Sequence, residues 1–105
     1  MEIEVGEVEM KLVIICYNVA IHEEVLEVLE ELEIKSYTRF KEAQGVGKLS
    51  GPHLGTHIWP AINSVLMVAL EEDKKDKLIE KVKELREKLG KEGVKAFVLP
   101  VEEIT

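Results

Sequence analysis

Residues 11–17 read Lys-Leu-Val-Ile-Ile-Cys-Tyr, and residues 65–70 read Val-Leu-Met-Val-Ala-Leu. Successive side chains of a β-strand point to opposite faces of its sheet, so a run that is apolar at odd and even positions predicts a strand covered on both faces. The short length of the runs and their β-branched residues are consistent with buried strands. These two stretches are therefore predicted to be the central strands of one sheet.

A stretch with apolar residues at helical spacing follows each of these strands. Asn18 is placed to accept hydrogen bonds from the amides that open a helix, and Asp73 is placed to do the same for a second helix. In the first helix the apolar positions recur at three- and four-residue spacing, at Ile21, Val25, Val28, Leu29 and Leu32. In the second they are Leu78, Val82, Leu85 and Leu89. Each helix is predicted to pack with one face, and Gly90 and Gly93 are predicted to end the second.

Two further strands complete the pattern. Residues 34–41 alternate polar and apolar, as a half-exposed strand does, and residues 96–101 form a last strand in which Pro100 fits only at a sheet edge or strand end. The order β-α-β-β-α-β with right-handed crossovers predicts an α+β, ferredoxin-like fold, with a four-stranded antiparallel sheet and two helices on one face. Residues 1–9 are predicted to be an N-terminal extension, and residues 10–105 a single domain.

This topology leaves one face of the sheet without helices, although the two central strands are apolar on both faces. An uncovered apolar sheet face is typical of an interaction site, and self-association is the simplest way to cover it. The sequence therefore predicts a homo-oligomer.

Composition limits the possible partners and compartments. The 105 residues contain 21 acids and 14 bases, for a net charge of −7, which argues against a nucleic-acid partner. A single cysteine excludes an intramolecular disulfide and favours a cytoplasmic protein. No apolar run has the length that membrane insertion requires.

Residues 43–63 are predicted to form a long loop, because glycine and proline interrupt every regular pattern there. Its backbone could approach a small anionic ligand at Gly45, Gly47 and Gly51, with Lys48 adding a positive charge. The alternative is a hairpin whose glycines only supply turns.

A second candidate anion-binding segment lies between the second helix and the last strand, at Gly90, Gly93 and Lys95. An ordinary helix end followed by a turn explains the same residues.

The arrangement resembles the PII signal-transduction proteins. In the loop, Gly45-Val46-Gly47 followed by Gly51 and His53 is similar to the family's G-x-G-x-x-x-G-x-H pattern, and residues 88–98 resemble its phosphate-binding B-loop. The resemblance implies a homotrimer that binds an adenine nucleotide (ATP, ADP or AMP) at clefts between subunits. It also implies that loop 43–63, the T-loop of the family, engages a target protein, with His53 and Trp59 as candidate contacts. The alternative for Trp59 is a side chain that pins the loop to the body of the domain. The loop contains no Tyr, so the tyrosine that is modified in some members has no counterpart.

The CutA family shares this trimeric fold and is the competing resemblance. It implies metal binding, for which His53 and His57 are the candidate ligands of a divalent metal. Two solvated loop histidines are the alternative interpretation. A third hypothesis, covalent catalysis by Cys16 with His22 as base, requires a contact that the sequence cannot establish, so the chain is predicted not to be an enzyme. Cys16 is interpreted as a packing residue and His22 as a surface residue.

Overall fold

The computed structural model describes residues 9–46, 61–90 and 93–105. The elements run in the order β1 (Met10–Asn18), a single 3-10 turn (Val19–Ile21), α1 (His22–Glu31), β2 (Thr38–Gly45), β3 (Ala61–Glu71), α2 (Glu72–Leu89) and β4 (Val94–Pro100). The strands form one antiparallel sheet in the order β2-β3-β1-β4. The predicted ferredoxin-like α+β fold, with the first and third strands in the centre, is confirmed.

The hydrophobic core lies between one face of the sheet and the two helices. Val13 of β1 pairs with Val68 of β3 and with Val98 of β4, which fixes the residues that share a face. The sheet contributes Val13, Ile15, Tyr17, Leu66, Val68, Leu70 and Val94 to this core. The helices contribute Val25, Val28, Leu29, Leu78, Val82 and Leu85. The predicted apolar faces of both helices therefore pack as expected, except that Leu89 at the end of α2 is exposed.

The other face of the sheet, which we call the open face, has no helix of the described residues against it. The alternating register places on it a set of mostly apolar side chains, which are Leu12, Ile14, Cys16, Phe40, Val65, Met67, Phe97 and Leu99. None of them is fully buried, and Phe40 and Phe97 are about half exposed, at 52% and 47%. In the described part of a single chain this apolar surface is left in contact with solvent.

The segment after α1 was predicted wrongly as the start of a strand. Glu33 adopts a left-handed conformation with φ of 58°, its N–H donates to the Glu30 carbonyl, and the Ile34 N–H donates to the Leu29 carbonyl at 2.8 Å. These two bonds form a Schellman motif, which ends a helix and turns the chain back. Ile34 is therefore buried against the core as part of the helix end, and β2 begins only at Thr38.

The start of α2 also differs from the prediction. The N-cap is Glu71, which makes no side-chain capping bond, and Asp73 lies inside the first turn. β3 continues directly into the helix at Glu72, so the N-cap position is also the last residue of the strand. Glu72 and Asp73 in the first turn still have the charge that a helix N-terminus favours. Asn18 does accept from the Ala20 N–H at 2.8 Å, as predicted, although this opens the 3-10 turn before α1.

The ends of the predicted loop 43–63 belong to strands. Ala43 pairs with Asn63 and Gly45 pairs with Ala61, so β2 and β3 continue to the point where residues 46–60 connect them. Among the described residues, no helix combines the length and apolar character needed to cross a membrane.

Candidate functional site

Gly45, Gly90 and Gly93, the described glycines of the two candidate ligand-binding segments, lie at the same end of the sheet. β1 ends at Asn18, which pairs with Asn63 near the start of β3, and Tyr17 pairs with Val94 at the start of β4. Gly45, at the end of β2, is therefore at the same end as the turn around residues 90–93. The two segments are at opposite edges of the sheet, because β2 and β4 are its outer strands.

Gly45 has a structural reason to be glycine. A Cβ atom at this position would collide with the side-chain amide of Asn63, which lies against the Gly45 backbone. Sequence reasoning attributed this glycine to the approach of a ligand, whereas in the structure the close approach is made by Asn63. The two roles are compatible, because a backbone without a side chain is open to both.

The turn around residues 90–93 is attached to the elements on both sides of it. Gly90 has φ of 105°, a conformation that favours glycine, and its N–H donates to the Arg86 carbonyl at 3.0 Å. Gly93 donates to the Gly90 carbonyl and accepts from the Asn18 N–H at 2.9 Å. Arg86 also reaches across the turn, since its Nη1 donates to the Val94 carbonyl at 2.6 Å. The predicted helix-ending role of Gly90 is confirmed, and these bonds hold the turn against the end of β1.

Lys95 is the first exposed cation after this turn. It pairs with Cys16 in the register of β4 against β1, so its side chain leaves on the open face. The Lys95 charge favours the Cys16 thiolate, but burial outweighs it, and the pKa of the Cys16 thiol is raised above its usual value. Cys16 is therefore a protonated thiol within the apolar open face.

The hypothesis of a Cys16 and His22 pair gains no support from this geometry. The Cys16 side chain leaves on the open face, whereas His22 contacts Tyr17 on the helix-covered face. The sheet itself thus separates the thiol from the imidazole.

His22 was wrongly interpreted as a plain surface residue. The Tyr17 hydroxyl and the Nδ1 of His22 form a hydrogen bond of 2.7 Å, and the two rings are stacked with their centroids 5.7 Å apart. Burial and the nearby Arg39 charge both lower the pKa of His22 below its usual value.

Beside this pair lies a second polar contact that sequence reasoning missed. Arg39 Nη2 donates to Ser64 Oγ at 3.0 Å, and Ser64 Oγ donates to the Lys41 carbonyl at 2.6 Å. Ser64 is the one fully buried polar side chain among the described residues of the core. The signal available in the sequence was a serine at an inward position of an otherwise apolar strand. We call Tyr17, His22, Arg39 and Ser64 the polar cluster.

Several predicted site residues lie outside the described part of the chain. These are Gly47, Lys48, Gly51, His53, His57 and Trp59. The proposed metal ligands His53 and His57 are among them. Within residues 9–46, 61–90 and 93–105, no group of three or more His, Cys, Asp or Glu side chains could hold a metal ion.

Comparison with solved structures finds the same fold in PII-like proteins. A PII-like signalling protein of Thermus thermophilus superposes with a TM-score of 0.65 at 23% identity, over 90% of this chain and 87% of that chain. The apo form of CPII, a nitrogen regulatory PII-like protein of Thiomonas intermedia K12, has a TM-score of 0.67 at 18% identity, over 89% of both chains.

CPII bound to ADP, AMP and bicarbonate has a TM-score of 0.66 at 21% identity, over 89% of this chain and 86% of that chain. No curated protein matches the sequence. At these identities the structural likeness establishes the fold only.

The family is established by the sequence itself. Residues 10–105 match the family model described as nitrogen regulatory protein P-II, and this range covers all of the described secondary structure. The resemblance to PII proteins is thereby confirmed over the CutA alternative. The chain belongs to the nitrogen regulatory protein P-II family.

Proposed function

We propose that this chain is a P-II family regulator that binds a small anionic ligand in clefts between subunits and passes the bound state to a target protein through loop 43–63. The observation that carries the proposal is the placement of the two glycine-containing segments. Gly45 and the 90–93 turn lie at one end of the sheet but on its two outer strands.

The distance between these segments favours a shared site over one built by a single chain. Three strand spacings of about 4.8 Å separate the outer strands, or roughly 14 Å. A single phosphate or other anionic group cannot contact both edges of one sheet over that distance. A second subunit would bring its own edge strand beside the first, so that Gly45 of one chain and Gly93 of another face the same ligand.

The open face supplies the surface for such an assembly. Its apolar side chains extend over all four strands and stay partly exposed in the single chain. Burial of apolar surface contributes about 25 cal/mol of stabilisation per Å², which favours association of such faces. We propose a homotrimer, a number that comes from the P-II family.

An adenine nucleotide is the ligand that we propose. CPII, which shares the fold, has been solved with ADP, AMP and bicarbonate. The groups proposed to contact a phosphate or other anionic group are Gly45, Gly47, Lys48, Gly51, Gly90, Gly93 and Lys95. Glycine backbones allow close approach of N–H groups to an anion, and the two lysines add point charges.

The proposed mechanism is a shift between loop conformations. A ligand that contacts Gly45 and Lys48 in one conformation of loop 43–63, and loses those contacts in the others, favours that conformation by its differential affinity. A target protein that recognises the loop, with His53 and Trp59 as candidate contacts, then responds to the ligand. No catalytic step is required of the regulator.

Calorimetric titration with ATP, ADP and AMP tests the proposal. We expect binding in the micromolar range at one site per subunit for at least one nucleotide, and an affinity about tenfold lower in Lys95→Ala. Loss of one charge contact to a phosphate is worth roughly 1.4 kcal/mol or more, which is that factor. Lys77→Ala, which removes an exposed lysine from the middle of α2, is the matched control and should leave the affinity unchanged. Absence of binding for all three nucleotides would contradict the proposal, and equal affinity in Lys95→Ala would remove Lys95 from the site.

A further inference from the structure

The pairing of β2 with β3 contains an irregularity just before the strands separate. Phe40 pairs with Val65 and Ala43 pairs with Asn63, so β2 advances three residues while β3 advances two. The extra residue is a β-bulge in the Lys41–Glu42 region, and a bulge leaves part of the backbone out of the ladder. A bulge also bends its strand and increases the local twist, so it decides the direction in which the following residues continue.

Ser64 stabilises this bulge from the inside. Its hydroxyl, which is fully buried, donates to the Lys41 carbonyl at 2.6 Å. Backbone carbonyls need hydrogen-bond donors, and the Ser64 hydroxyl supplies one to Lys41 at the place where the ladder shifts its register. The serine at this apolar position of β3 is thereby explained by the bulge opposite it.

Arg39 completes the contact. Its Nη2 donates to Ser64 Oγ at 3.0 Å. The Ser64 hydroxyl thus accepts one hydrogen bond from Arg39 while it donates another to the Lys41 carbonyl. Arg39 Nε is buried without a hydrogen-bond partner, and no Asp or Glu of the described residues forms an ion pair with the guanidinium. A charged side chain held in this way costs free energy that a solvent-exposed arginine would not, which points to a role beyond covering the surface.

We propose that Ser64 and Arg39 are positioning residues that hold the β2 bulge and thereby fix the position of residues 43–45, the last paired residues of β2. Their effect on the ligand is indirect, since they act through Gly45, and this part of the inference rests on the proposed function. Gly45 lies three residues beyond Glu42 and has no room for a Cβ beside Asn63, so a shift of the bulge displaces its backbone. Neither side chain is proposed to contact the ligand.

Hydrogen exchange of single amides in the ligand-free protein tests the positioning role. The variants are Ser64→Ala and Arg39→Gln, and the control is Lys41→Gln, which removes an exposed positive charge from the same strand while keeping the carbonyl that Ser64 contacts. We expect the amides of residues 43–45 and 62–63 to exchange about tenfold faster in both variants, as the loss of one buried hydrogen bond predicts. The amides of the β1–β4 pair, in residues 13–16 and 95–98, should keep their protection.

Two results would overturn the proposal. One is a uniform loss of protection over the whole sheet, which would mean that Ser64 and Arg39 only contribute to global stability. The other is unchanged exchange at residues 43–45. If Ser64→Ala does not fold, Arg39→Gln still decides the question, because this side chain is only partly buried and its loss leaves the serine bond in place.

Titration of the same variants with ADP tests the link to the ligand. We expect the dissociation constant to rise at least about fivefold in Ser64→Ala and Arg39→Gln and to stay unchanged in Lys41→Gln. Equal affinity in all variants would overturn the link to the ligand. If the unaltered protein does not bind ADP, the proposed function has failed, and the exchange measurement, which needs no ligand, still decides the positioning role.

Discussion

The lowered pKa of His22 predicts that the stability of this protein depends on pH. The His22 pKa in the folded chain lies below the usual value of 6.5, through burial first and the Arg39 charge second. The unfolded chain therefore binds the His22 proton more readily than the folded chain. The corresponding stabilisation is fully present above about pH 6.5 and is lost as the pH falls through the lower folded-state pKa. We expect the free energy of unfolding, measured in urea between pH 8 and 5, to decrease over this window, and His22→Gln to remove part of the decrease.

The other two histidines provide the control for this measurement. The sequence has three histidines, and the double variant His53→Gln/His57→Gln should therefore be compared with His22→Gln. If the double variant flattens the profile and His22→Gln leaves it unchanged, the assignment to His22 is wrong.

Gly45 allows the structural and ligand-binding roles of a glycine to be separated at the same residue. A Cβ atom would collide with the Asn63 amide, so Gly45→Ala should lower the free energy of unfolding by about 1 to 3 kcal/mol, the usual cost of overpacking. Asn63→Ala removes the colliding group, and the double variant should recover most of this loss in urea unfolding. Additive losses in the double variant would show that the cost of Gly45→Ala comes from elsewhere.

At the scale of elements, the end of α1 contains a residue that its backbone disfavours. Glu33 occupies the left-handed position of the Schellman motif, with φ of 58°, where glycine has no steric cost. Glu33→Gly should therefore raise the free energy of unfolding by about 0.5 to 1 kcal/mol. Glu31→Gly is the matched control, because it makes the same replacement at the last helical residue and should lower stability by about 1 kcal/mol. Equal effects of the two variants, in urea unfolding, would contradict this account.

At the scale of the whole molecule, the open face decides whether the chain associates. Met67 lies on the central strand β3 and pairs with Ile14 and Thr38 on this face. In an assembly built on the open face, Met67→Lys would bury a charge without a partner, whereas in a single chain the lysine stays in water. We expect the mass in solution, measured by light scattering, to fall from that of an oligomer to the 11.9 kDa of one chain.

The control for this prediction is Leu89→Lys, which introduces the same charge at an exposed apolar residue at the end of α2. This variant should keep the oligomeric mass. An unchanged mass in Met67→Lys would mean that the chains associate through another surface, and the shared ligand site proposed above would then need different geometry.

The sequence pattern predicted some features correctly and others wrongly. The difference depends on whether the contacts that form a feature are close together in the chain. The central strands were identified from residues 11–17 and 65–70, because consecutive apolar side chains indicate a strand that is covered on both faces. Asn18 and Gly90 were predicted correctly because a cap contacts only its neighbours along the chain. Ile34 was assigned wrongly because its β-branched side chain suits a strand, whereas backbone bonds to α1 place it at a helix end.

The sequence by itself determined the fold, the family and the presence of an uncovered apolar face, because periodic burial and capping depend on residues close together in the chain. Only the tertiary structure decided that Tyr17 contacts His22 on the face opposite Cys16, and that Asn63 packs on Gly45. It also decided that Arg39 and Ser64, 25 residues apart in the chain, meet beside the β2 bulge. Contacts such as these depend on strand register. A shift of one residue in that register moves every side chain to the other face. The local sequence pattern does not indicate where a bulge will cause such a shift.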